Sequence, residues 1–176
     1  MAWPLCFTYA GSVIGKGFVA HVDLCGRLLA IPEADGVWLH GVSPAAVAVG
    51  APTLSDANLE LRDILTKTFI DFANDSESFA AFKVKVEEFY HATDEDAAEW
   101  QAAVASIKAG TTPVPEGVRR CPDSDLYVRV SEVGLAQLPG ALATERRGHA
   151  QSDIESCFIV QTLEPCLGFA RPTVLG

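Results

Sequence analysis

The sequence predicts an α+β protein: a small antiparallel β-meander packed by two or three helices, with a C-terminal β-rich appendage. Residues 18–50 alternate between apolar and polar positions around an Asp-Gly turn, which is typical of short antiparallel strands. Residues 54–108 contain three apolar patterns at helical spacing, each preceded by a residue that can cap a helix. β-Favouring runs return after residue 118.

Length and composition indicate an ordinary globular protein. The chain has 176 residues, of which 49% are hydrophobic and 20% charged, so it can build a core and is not broadly disordered. The stretch 111–117, "TTPVPEG", has two prolines and a glycine and predicts a linker. We therefore expect an α+β domain over residues 1–110 and a β-rich segment over residues 118–176, which could dock on the same domain.

The first strands are predicted from period-two alternation. "FVAHVDLCGRLLAIP", residues 18–32, is followed by the turn "EADG", and then "VWLHGV" and "AAVAVG" predict a second and a third strand. Residues 11–17, "GSVIGKG", lack the spacing and the closing Lys-Ser/Thr pair of a phosphate-binding loop, so we interpret them as a simple loop.

Three helices are predicted next. Thr53, with Asp56 three residues later, forms a variant of the capping box and begins a helix that extends to about Ala73. Ser76 or Ser78 can cap a second helix with a narrow aromatic stripe. Thr93 precedes three acidic residues and caps a third helix, which ends near Gly110. The stripes at this spacing predict core packing.

The charge is strongly acidic and unevenly distributed. The net charge is −10, and residues 1–110 contain 15 acidic and 7 basic residues, against 8 and 6 in the remainder. An acidic surface repels phosphate backbones and attracts basic proteins, so direct nucleic-acid binding is disfavoured and a basic protein partner is favoured. The candidate acidic face consists of Asp56, Glu60, Asp63, Glu87, Glu88, Asp94, Glu95, Asp96 and Glu99.

The cysteines and the apolar segments bear on the compartment. The five cysteines form an odd set without a close pair, which suits a reducing environment better than a disulfide framework. The apolar N-terminus has no preceding positive charge, and no stretch has the ~20 apolar residues of a membrane span. We therefore expect a cytoplasmic protein without a membrane anchor.

Two sets of residues have the types that an enzyme would use. His21 and His40 could face each other across the first hairpin, with Asp23 beside them, as in a two-His-one-carboxylate metal site. A cross-strand polar pair explains the same residues.

The second set is Cys157 with His149 and Asp153, which has the residue types of a thiol nucleophile, its base and an orienting carboxylate. Because Cys157 begins the apolar run "CFIV", a buried thiol on a strand is the favoured interpretation. The basic pairs Arg119-Arg120 and Arg146-Arg147 could hold a phosphate or an acidic tail if they met, or lie solvated in loops. The expectation is no cofactor, no metal and no catalytic residue.

The meander and the capped helix together resemble the HicB-like antitoxin domain. The matching pieces lie within about residues 18–73: the strand at Val19–Leu24, the Asp35-Gly36 turn, "VWLHGV" and "GAPTLSDANLELRDIL". The resemblance implies a β-β-β-α-β unit that has lost ribonuclease-type catalytic residues and covers a small RNA-cleaving toxin. It also implies that a homodimer can form.

These observations favour a non-enzymatic acidic protein that binds a basic protein, acting as an antitoxin-like protein or another inhibitor. A nucleic-acid mimic of the phage type, whose carboxylates imitate phosphates and inhibit a nucleic-acid-binding protein, follows from the same charge. The third hypothesis is a cysteine- or metal-dependent enzyme.

Overall fold

A computed structural model describes the protein for residues 2–113, 119–121, 126–134 and 161–163, with side chains described in 2–113 and 126–134. Four strands come first, then three helices, then three strands. Their bounds are β1 Trp3–Ile14, β2 Val19–Glu33, β3 Gly36–Ser43, β4 Ala48–Ala51, α1 Leu54–Asn74, α2 Phe79–Tyr90, α3 Asp94–Lys108, β5 Arg119–Cys121, β6 Tyr127–Glu132 and β7 Gln161–Leu163. The predicted α+β class is confirmed.

Within the described residues, one sheet contains all the strands. The order β4-β3-β2-β1-β7-β5 forms the main path, and β6 pairs with β2 outside that path. Strands β1 to β4 pair antiparallel with their neighbours in sequence, which confirms the predicted meander. Strands β6 and β7, from the C-terminal part of the chain, pair antiparallel with β2 and β1.

Strand β2 changes its partner along one edge. Ala20–Cys25 pair with β6, whereas Arg27–Glu33 pair with β3, and the register shifts between Arg27 and Leu28. Gly26 lies between the two partners, where a Cβ atom would come within 2.2 Å of the backbone oxygen of Ser43. A side chain there would force the backbone of β3 away, so glycine permits the close approach of the two strands.

The two faces of the sheet are covered differently. The first face carries Leu5, Phe7 and Leu24, which form the larger core cluster with α1 and α2. The second face carries Cys6 and Leu29, which form a smaller cluster with α3. Because successive strand residues point to opposite faces, this alternation places α1 and α2 on one side of the sheet and α3 on the other.

Strand β1 was not predicted. Its pairing with β2 runs from Trp3 opposite Ala30 to Ile14 opposite Val19, so it is an interior strand rather than a leader to the meander. The expectation of a loop over residues 11–17 is wrong for Gly11–Ile14, which belong to β1; the turn is confined to residues 15–18. The apolar residues Leu5, Phe7 and Tyr9 alternate with Cys6 and Thr8, but both sets are apolar or weakly polar, which hides the period.

The helix caps follow the sequence closely. Thr53, Ser78 and Thr93 have extended backbones, and each accepts a hydrogen bond from the backbone N–H three residues later. Ser76, the other candidate for the second cap, instead donates to the carbonyl of Phe72 at 2.6 Å. The buried stripe of α1 includes Phe69, which is fully buried.

We expect Thr53→Ala to lower the free energy of unfolding by about 1 kcal/mol. The Thr53 side chain accepts from the Asp56 N–H at 3.1 Å and donates to the Asp56 carboxylate at 2.7 Å, and both bonds are lost in the variant. Urea unfolding followed by circular dichroism measures the change. Ser55→Ala, at an exposed position inside the same turn, is the control. Equal midpoints for the two variants would show that the cap contributes nothing.

Tyr90 joins α2 to the sheet. Its hydroxyl donates to the backbone carbonyl of Cys25, the residue of β2 opposite Tyr127. Burial raises the pKa of Tyr90 above its ordinary value of 10.0, because the phenolate would lose its hydration inside the protein. The phenol therefore stays protonated in the folded state after the unfolded chain has begun to lose that proton.

This raised pKa predicts a loss of stability in alkali. The contribution of Tyr90 is fully present below pH 10 and falls as the pH rises above the unfolded-state pKa. We expect Tyr90→Phe to unfold with a shallower pH dependence than the wild type when urea midpoints are measured between about pH 9 and 11. Tyr127→Phe, at a less buried phenol, should alter the slope less. Parallel curves for wild type and Tyr90→Phe would contradict the assignment.

Candidate functional site

The end of α2 and the start of α3 carry the densest group of carboxylates. Asp94, Glu95 and Asp96 form the first turn of α3, and Glu99 follows one turn later. Glu87 and Glu88 lie in the last turn of α2, and the two helices are separated by only three residues. We call this group the α2–α3 acidic surface. Of its six carboxylate side chains, only those of Glu87 and Asp96 are partly buried.

Two of these six carboxylates interact with residues of their own helix or its cap. Asp96 accepts from the Thr93 hydroxyl at 2.5 Å, as the acidic residue of a capping box. Glu87 forms an ion pair with Lys83 at 3.8 Å. Within residues 2–113 and 126–134, Glu88, Asp94, Glu95 and Glu99 form no ion pair. These four side chains are exposed.

The acidic residues of α1 form a separate group. Asp56 bonds to Thr53, and Asp63 forms an ion pair with Lys67 at 2.5 Å. Glu60 is exposed and lies on the same outward side of the helix. Since α1 packs on the first face of the sheet and α3 on the second, the nine predicted residues do not form one continuous surface. The four acidic residues of α3 lie together on one helix, and Glu87 and Glu88 precede them across the connection 91–93, although α2 packs on the first face with α1.

Trp100 fixes α3 to the sheet. It is 3% exposed and packs with Cys6, Leu29 and Val42 of the second face. The guanidinium of Arg27 lies over its ring, 4.1 Å from the centroid. Trp100 is one residue beyond Glu99, so this anchor holds the carboxylates of α3 in a defined position.

A polar array occupies the other half of the second face. Tyr127 donates to the Asp23 carboxylate at 3.1 Å, and Arg129 lies 4.0 Å from the same carboxylate. The Arg129 guanidinium also stacks on the Tyr127 ring, 4.4 Å from its centroid. Partial desolvation and the bond to Asp23 both raise the pKa of Tyr127. This array was not predicted, because the alternation in "LYVRVSE" indicates a strand but does not reveal its partner strand.

His21 lies in the same array but does not complete a catalytic group. Its Nδ1 is 3.0 Å from the Ser12 hydroxyl on β1. No hydrogen bond joins His21 to Asp23 among the described side chains, so the arrangement lacks the carboxylate that orients the base in a Ser-His-Asp site. The array explains these residues as cross-strand polar pairs.

The metal hypothesis for His21, Asp23 and His40 is wrong. His21 is opposite Ser12 and Ser131, whereas His40 is opposite Leu29. His21 and Leu29 are separated by eight residues of β2, roughly 26 Å at a strand rise of ~3.3 Å per residue. Across the residues that the structure describes, no group of three His, Cys, Asp or Glu side chains could hold a metal ion.

Most of the remaining candidate residues lie outside the part of the chain that the structure describes. Cys157, His149 and Asp153 lie outside the described residues, as do Arg146 and Arg147. Arg119 and Arg120 are described by their backbone alone, in β5. The thiols of Cys6 and Cys25 are buried in the sheet.

The fold and the surface define an α+β protein with helices on both faces of a largely antiparallel sheet and a carboxylate-rich helix start on one side. In the described helices, no segment is both long and apolar enough to cross a membrane. Comparison with protein-family models, curated proteins and solved structures finds no match.

Proposed function

We propose that this chain is a non-enzymatic, cytoplasmic protein that binds a basic protein partner through the α2–α3 acidic surface. The observation that supports the proposal is that Glu88, Asp94, Glu95 and Glu99 carry four charges without an ion pair in the described part of the chain. Opposite charge on a partner would raise the association rate and select against acidic competitors. An antitoxin-like or other inhibitory role is the biological form that we propose for this binding, with a homodimer as the assembly.

The rigid attachment of α3 adds to the proposal. A flexible acidic tail pays an ordering cost when it binds, whereas carboxylates on a packed helix are already positioned. Trp100 and Val104 are buried against the sheet, so the exposed side of α3 presents a fixed charge pattern. A fixed charge pattern lowers the ordering cost of binding a partner.

A salt-dependent pull-down from the native host tests the proposal. The tagged protein is washed at low and then high salt, and the released proteins and nucleic acids are identified. We expect a basic protein to be released by salt, because screening weakens exposed charge pairs. Retention of nucleic acid without protein, or release of no protein, would contradict the proposal.

Competition separates the protein-binding role from nucleic-acid mimicry. If the captured partner itself binds DNA or RNA, and that nucleic acid displaces the present protein, then the carboxylates act as phosphate mimics. If the partner is displaced only by protein competitors, the simpler inhibitor role applies.

A further inference from the structure

A shallow groove runs between α3 and the second face of the sheet. Leu29 and Ile31 of β2 form one side, and Ala102 and Ala103 of α3 form the other. Its volume is about 300 Å³, and Glu99 lies at its border. The lining is apolar on the β2 side and at the two alanines of α3, and it also includes the polar residues Ser106 and Thr112 and one carboxylate of the α2–α3 acidic surface, Glu99.

Trp38 extends this apolar surface beyond the groove. It is directly opposite Ile31 across the β2–β3 pair and opposite Gly50 across the β3–β4 pair. A Cβ atom on Gly50 would lie 2.7 Å from the indole ring, so the ring rests against the backbone of β4. Even so, Trp38 is 42% exposed. An exposed tryptophan beside an apolar groove is the composition of a binding hot spot, because burying its ring releases a large apolar area from water.

Charge indicates what the groove accepts. Glu99 borders it, and Glu95 lies four residues earlier on α3, on the same side of the helix. Neither carboxylate forms an ion pair with a described lysine or arginine. A side chain that filled the groove would thus have neighbouring residues next to two unpaired negative charges.

We propose that the groove binds a segment of the basic partner in which one large apolar side chain lies between α3 and β2, flanked by lysine or arginine. The apolar side chain contacts Ile31 and Trp38, and the flanking cation contacts Glu99 or Glu95. This inference rests on the proposed function, since it specifies how the basic partner is recognised.

Two short peptides test the inference directly. Acetyl-Lys-Leu-Lys-amide carries the proposed pattern, and acetyl-Lys-Gly-Lys-amide has the same charge without the apolar side chain. Each is titrated into the full chain, and methyl signals of Ile31 and Leu29 and the indole N–H signal of Trp38 are followed by NMR. We expect the leucine peptide to shift these signals and to bind about tenfold more tightly than the glycine peptide.

Three variants locate the binding. Glu99→Lys and Trp38→Ala should each lower the affinity for the leucine peptide. Asp71→Lys makes the same charge change as Glu99→Lys but on α1, and it should leave this affinity unchanged. If the two peptides bound with equal affinity, and Glu99→Lys weakened the binding of both, the proposed role of the groove would be overturned while that of the acidic surface would stand. Binding that is absent, or insensitive to Glu99→Lys, would overturn the groove; the host pull-down then decides the proposed function separately.

Discussion

Replacing Trp100 with alanine is expected to lower the free energy of unfolding by about 3–5 kcal/mol. The substitution removes the largest side chain of the cluster between α3 and the sheet and the ring on which Arg27 rests. The Trp100 indole N–H has no hydrogen-bond partner among the described atoms, so its stabilising effect comes from packing and from the cation–π contact. Urea unfolding gives the change in free energy, and amide exchange over residues 94–108 reports whether α3 leaves the sheet.

Trp38→Ala is the matched control for this prediction. The same atoms are removed, but Trp38 is 42% exposed whereas Trp100 is 3% exposed, so we expect a loss of about 1 kcal/mol or less. If the two variants lost equal stability, Trp100 would not be the anchor of α3. If Trp100→Ala kept amide protection in α3, the helix would be held by other contacts.

The double variant Glu95→Lys and Glu99→Lys is expected to weaken binding of the captured partner by about tenfold or more at low salt, mainly through slower association. Both residues are exposed and have no ion pair in the described part of the chain. Asp96 is left unchanged because its carboxylate accepts the Thr93 hydroxyl and supports the start of the helix. The melting temperature should therefore change little. The association and dissociation rates of the immobilised partner, measured at two salt concentrations, give the change in binding.

Glu60→Lys with Asp71→Lys provides the comparison. This pair makes the same change of net charge on α1, which packs on the first face of the sheet, away from α3. We expect a much smaller effect on affinity, because the charges lie on the opposite side of the sheet. Equal losses in the two double variants would mean that total charge, rather than the α2–α3 acidic surface, governs binding.

The helices show what can be predicted from sequence and why. The caps at Thr53 and Thr93 and the last turn of α3 depend on bonds between residues three or four apart, so the information lies within one window of the chain. The hairpin of β2 and β3 likewise follows from a local Asp-Gly signal. Strand β1 has no comparable signal, since Leu5, Cys6 and Phe7 are consecutive apolar residues that face both sides of the sheet and remove the period-two pattern.

The tertiary structure also contains contacts that no local pattern predicts. Tyr127 meets Asp23 across 104 residues of sequence, and Tyr90 meets Cys25 across 65. The sequence could identify nine acidic residues, but not that α1 and α3 pack on opposite faces of the sheet. That separation follows from which apolar stripe packs on which face.

The sequence by itself determined the α+β class, the three capped helices, the meander and the acidic charge, because each arises from composition or from neighbours along the chain. Only the tertiary structure decided that β1 is an interior strand, that His21 and His40 are far apart, and that Glu99 borders a groove beside Trp38. The physical reason is that the register of a strand, and the face to which its side chains point, depend on how much apolar surface is buried between segments that are distant in sequence. The gain in free energy from this burial depends on the packing of the whole chain.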